Sequence, residues 1–123
     1  MLHPLAIVFY ERLMPGSQLL NRLQDLGYRV LAADNAARLA ATVLQEMPLV
    51  LVVDLNAKGD ICAAIEAIKR TPETTHVPVI AFAPDNASQL IAAGQKAGAN
   101  LAVGESAITS YLPQLLDQAL QVE

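Results

Sequence analysis
A chain of 123 residues, 54% hydrophobic and only 16% charged, is long and apolar enough to bury one core of its own and lacks the composition of a disordered segment. A net charge of −4 with no run of Lys or Arg argues against a phosphate-backbone binder. The single cysteine, Cys62, excludes an internal disulfide and a cysteine zinc site.

In chain order, the first signal is the apolar run Leu5–Phe9, which is too short for a membrane span or a signal segment and reads as a strand. The expected location is the cytoplasm, with no membrane contact. A helix follows, with Pro15 in its first turn, Leu19, Leu20, Leu23 and Leu26 at helical spacing, and Gly27 as its stop. Tyr28–Ala32 is a weaker strand. Asp34 is expected to cap a second helix, which Pro48 ends. Leu49–Val53 is another apolar, β-branched strand, followed by a helix carrying Ile61, Ala64, Ile65 and Ile68. Val77–Phe82 is the next strand, and Pro78 suits its first residues. Asp85 or Asn86 is expected to cap a fourth helix that Gly98 closes. A short strand at Asn100–Val103 precedes one last helix with Ile108, Tyr111, Leu112, Leu115, Leu116, Ala119 and Leu120.

Strand and helix thus alternate five times. The strands are apolar on both faces, as parallel strands covered by helices are. The expected architecture is α/β: a flavodoxin-like (βα)5 doubly wound sandwich, one domain over residues 1–123, with a parallel five-stranded sheet in order 2-1-3-4-5. In such a sheet chemistry sits at the carboxyl ends of the strands. Those ends carry Tyr10-Glu11, Asp54-Leu55-Asn56, Ala83-Pro84 and Gly104-Glu105. Asp54 is expected at the rim, partly shielded, beside Glu11.

Four segments in order resemble the receiver domain of two-component response regulators. They are Leu26-Gly-Tyr28, Leu49-Val-Leu-Val-Val-Asp54-Leu-Asn56, Thr71-Pro-Glu-Thr-Thr-His-Val-Pro-Val-Ile80 and Ala97-Gly-Ala-Asn100. The resemblance implies a phospho-acceptor at Asp54 and a metal site of Glu11, Asp54 and the backbone of Asn56. Other working positions depart from the family pattern. Tyr10 stands for one acid of the pair after the first strand, Ala83 for the hydroxyl residue, Ala102 for the switch aromatic, Glu105 for the lysine and Ser106 for the proline. A receiver neutralises the charge that builds up on the transferring phosphoryl group with Mg2+, a lysine and a hydroxyl. Here a cation is replaced by an anion and a donor by a methyl group.

The reading is therefore a non-enzymatic pseudo-receiver that acts through a protein partner, a histidine kinase or a downstream regulator, with no cofactor or only weakly held Mg2+. Two alternatives stand beside it. One is a residual receiver phosphorylated slowly on Asp54 in a phosphorelay. The other is a small-ligand domain using space left by Ala83, Ala102 and Gly104. The last helix carries a wide apolar stripe with two readings: a broad core stripe, or Tyr111 and Leu116 at the surface as a contact for a homodimer through the fourth and fifth helices or for a partner. Cys62 is expected to be half-buried and inert, and His76 to lie on the surface. Nothing in the chain encodes nucleic-acid recognition.

Overall fold
The computed structural model describes residues 4–10 and 13–120. Five strands alternate with helices: β1 Leu5–Phe9, α1 Leu13–Asp25, β2 Arg29–Ala33, α2 Ala36–Glu46, β3 Val50–Asp54, α3 Ile61–Arg70, β4 Val79–Ala83, α4 Ser88–Ala97, β5 Leu101–Gly104, α5 Glu105–Ser110 and α6 Leu112–Leu120. All pairings are parallel, and the strand order is β2-β1-β3-β4-β5. This is the flavodoxin-like sheet expected from the alternation.

The apolar runs bury both faces because successive side chains of a strand point to opposite sides. Ile7, Phe9, Leu51, Val53, Val79 and Ala81 pack with Leu39 and Val43 of α2 and Ile61, Ile65 and Ile68 of α3. Ala6, Val8, Val50, Val52, Ile80 and Phe82 pack on the other face with Leu19 and Leu23 of α1, Ile108 of α5 and Leu112 and Leu116 of α6. α4 adds Ala97 to the first face. Pro78 precedes β4 and contributes only its carbonyl, which accepts from Leu51 N at 2.9 Å. Buried Thr74 stitches the turn into β4, its hydroxyl donating to the Ile68 carbonyl at 2.7 Å.

Three local expectations are corrected. Asn35, not Asp34, caps α2, with its side chain accepting from Ala37 N at 3.0 Å. Neither Asp85 nor Asn86 caps α4; its N-cap is Ala87, which makes no side-chain bond. The single last helix is two helices broken at Tyr111. Pro113 explains the break. It has no N–H to donate to the Thr109 carbonyl four residues back, and its ring crowds that carbonyl in a continuous helix.

Candidate rim at the carboxyl ends of the strands
Strand register builds the site. Phe9 pairs with Val53, so Tyr10 follows alongside Asp54. Asp54 pairs with Phe82, and Phe82 with Val103. Ala83 pairs with Gly104, and Glu105 opens α5 immediately beyond. The sheet thus brings Tyr10, Asp54, Ala83 and Glu105 to one rim. Glu11 lies outside the described residues.

Asp54 departs from the expected partial shielding. It is the last residue of β3 and is 0% exposed. Its Oδ1 accepts from Asn56 N at 2.9 Å, a tight local turn that fixes the carboxylate relative to the following loop. Burying a carboxylate is costly unless it gains hydrogen bonds or charge partners. A strand-end acid is therefore built in, rather than left over at the rim.

Tyr10 does not replace the missing acid. Its ring packs with the α1–α5–α6 core and lies on Gly16 of α1. A β-carbon at Gly16 would fall inside the ring's van der Waals surface, so the glycine is what admits the tyrosine. Ala83 is fully buried in the α2–α3–α4 core, and Ala102 packs against that core. Neither offers a polar atom. Glu105 is half-buried, and Asn56 is exposed.

Mg2+ takes six oxygens in near-octahedral geometry, usually with one or two carboxylates. At the rim Asp54 supplies a carboxylate with the Asn56 backbone beside it, and Glu105 and Asp85 stand at the ends of the neighbouring strands. Among the described residues no group of three His, Cys, Asp or Glu side chains gathers to hold a metal. Of the expected metal set of Glu11, Asp54 and Asn56, the described members are Asp54 and Asn56.

The rim also contains a feature that sequence reasoning missed. Asp85, in the β4–α4 loop, reaches α5. Its Oδ1 accepts from Ser106 N at 3.0 Å, and its Oδ2 accepts from the Ser106 hydroxyl. A proline at position 106 would have no N–H to give. Gly104 makes the approach, because a β-carbon there would overlap the Asp85 carboxylate. The space expected beside Gly104 is therefore occupied by Asp85. The only sequence hints were an acid just past one strand and Gly-Glu-Ser just past another, and local capping rules assigned the acid to the wrong helix.

The Ser106 hydroxyl, and then the Ser106 amide, hold the Asp85 carboxyl below its ordinary 3.8. A group with a lowered folded pKa binds its proton less readily when folded. Its contribution is complete above 3.8 and disappears as pH falls through the lower folded value. Asp85→Asn should therefore flatten the acid limb of the melting temperature below about pH 4 while leaving its shape near neutrality unchanged. Thermal melts across that range check it; an acid limb identical to wild type would contradict it.

Cys62 is half-buried as expected, and burial, then Asp60 and Glu66, push its thiol up, which disfavours the reactive thiolate. His76 is exposed, also as expected. Tyr111 is 57% exposed, but Leu116 is only 4% exposed and belongs to the core. For Leu116 the core reading holds and the interface reading is corrected: once the helix breaks at Tyr111, α6 turns Leu112 and Leu116 inward together.

No protein-family model matches the chain, and no curated protein sequence does. Solved structures do. The receiver domain of the sensor histidine kinase PA1611 from Pseudomonas aeruginosa PAO1, described with a magnesium ion in its active-site cleft, superposes with a TM-score of 0.85 at 18% identity, over 97% of this chain and 98% of that one. The receiver domain of NtrX from Brucella abortus gives 0.81 at 16% identity, over 96% and 99%. The chemotaxis response regulator CheY4 of Vibrio cholerae gives 0.76 at 15% identity, over 93% and 99%. The chain has the receiver-domain fold.

Proposed function
We propose that this receiver-fold domain is a non-enzymatic signalling or scaffold module that works by binding a protein, without ordinary phosphorylation of Asp54. The observation that carries this reading is the strand register, which brings Ala83 and Glu105 to the same rim as the buried Asp54. An acceptor carboxylate must meet its phosphodonor, and the adjoining strand ends carry Ala83 and Glu105 in place of a donor and a cation. Charge developing on a transferring phosphoryl group would meet a methyl group and an anion. Any Mg2+ at this rim is held weakly.

The partner is a protein of a two-component pathway, a histidine kinase or a downstream regulator, and the domain acts in the cytoplasm. Tyr111, exposed at the α5–α6 break, supports a contact on that side, including pairing of two copies through α4 and α5. Aromatic side chains with an apolar body and a polar tip are favoured at such contacts. Among the described residues no helix is long and apolar enough to cross a membrane.

Incubation with Mg2+ and acetyl phosphate, followed by intact-mass measurement, tests the reading. The mass is expected to stay unchanged. A gain of one phosphoryl group, absent in Asp54→Asn, would establish a residual receiver instead.

A further inference from the structure
The two layers of helices on this sheet are joined at one edge by side-chain bonds. α4 lies on the face with α2 and α3, and α5 on the face with α1 and α6. β5 is the edge strand between them. Asp85 precedes α4, and Ser106 stands in the first turn of α5. Their two bonds therefore pass over the carboxyl end of β5 and link one layer to the other.

What surrounds the bonds makes them matter. α4 starts without a side-chain cap, and its own anchoring there is the Ala87 N to Pro84 O turn at 2.8 Å. Gly94 stands inside it, and an interior glycine weakens a helix relative to alanine. α5 is only six residues long and has Gly104 as its N-cap, with no side-chain bond from that residue. Asp85 supplies that missing cap from a different loop, accepting the Ser106 amide as an N-cap side chain would. One carboxylate thus caps the start of α5 and ties to it the loop that leads into α4.

We propose that the Asp85–Ser106 clasp is a lock that fixes α4 and α5 as one unit across β5, so that this edge of the domain has a single arrangement independent of the state of Asp54. The lock stands on the clasp geometry; its use, a fixed face for a partner, rests on the phosphorylation-independent reading above. Gly104 belongs to the lock, because its missing β-carbon is the slot that Asp85 fills.

Amide hydrogen exchange followed by NMR on the full chain tests the lock. Asp85→Ala removes both bonds, while Ser106→Ala removes the hydroxyl and keeps the amide. Amides of residues 91–97 in α4 and 106–110 in α5 are expected to exchange at least about tenfold faster in Asp85→Ala, and by a smaller factor in Ser106→Ala. Amides of β1 and α2 are expected to keep their wild-type rates. Unchanged rates in α4, or an equal rise throughout the sheet, would overturn the proposal. Should Asp85→Ala fail to fold, the Ser106→Ala pattern decides by the same criteria. Phosphorylation found on Asp54 would defeat the proposed function and leave this exchange pattern untouched, so the two failures are distinguishable.

Discussion

The double variant Glu105→Lys, Ala83→Thr is expected to accept a phosphoryl group from acetyl phosphate and Mg2+ about a thousandfold faster than the wild-type chain. β5 lies two strand spacings from β3, about 10 Å between backbones, so a side chain at position 105 can lean towards the Asp54 end of the sheet. Two unit charges about 6 Å apart, at an effective dielectric near 20, interact by about 3 kcal/mol. Exchanging an anion for a cation doubles that difference. Position 105 is half-buried, and water screens roughly half of it. The remaining ~3 kcal/mol corresponds to about a hundredfold in rate. The introduced hydroxyl adds one hydrogen bond to a charged group, worth about 1.5 kcal/mol at the low end, or roughly another tenfold. The rate of mass gain checks this, with Asp54→Asn in the same background as control. A double variant that folds normally and still takes up nothing would show that burial of Asp54, rather than the sign of the rim charge, is the obstacle.

The largest stability effect is expected at Phe82. Its ring is fully buried in β4, between Asp54 of β3 and Val103 of β5 in the strand register. It packs into the α1–α5–α6 core with Ile80, Ile108 and Leu112. Phe82→Ala leaves a cavity that a sheet strand held on both sides cannot close, and should cost about 3–5 kcal/mol. Small domains have about 5–15 kcal/mol in total, so this single change consumes a large share. Denaturant unfolding measures it. A loss below about 1 kcal/mol would mean that the ring is not packed as described.

The sheet was legible because its signals are local and strong. Leu5–Phe9 matches β1 without adjustment, and Leu49–Val53 gives β3 with a shift of one residue. The alternation of these runs with helical spacing was enough for topology, because right-handed crossovers leave few alternatives. The placement of Tyr10, Asp54, Ala83 and Glu105 at one rim followed from the same pattern.

What escaped the sequence was decided by neighbours in space. Asp34 and Asn35 are both good caps, and only the backbone direction leaving β2 selects Asn35. Asp85 looked like a cap for the helix just after it. Its partner, Ser106, lies 21 residues away, where no local rule looks. Pro113 was legible as a breaker, but the apolar stripe running through it masked the break. The interface reading of Leu116 followed from the same error. The burial of Asp54 depends on its neighbours in space, which apolar periodicity does not report.

With Ala83 and Glu105 at its strand ends, this rim is expected not to clasp a phosphoryl group. Beryllium trifluoride with Mg2+ imitates a phosphoryl group on a carboxylate without requiring a transfer step, and so tests the clasp alone. The backbone amide signals of Asn56, Ala83 and Glu105, followed by NMR during titration, are predicted to stay in place. Saturable shifts at all three, lost in Asp54→Asn, would contradict the account.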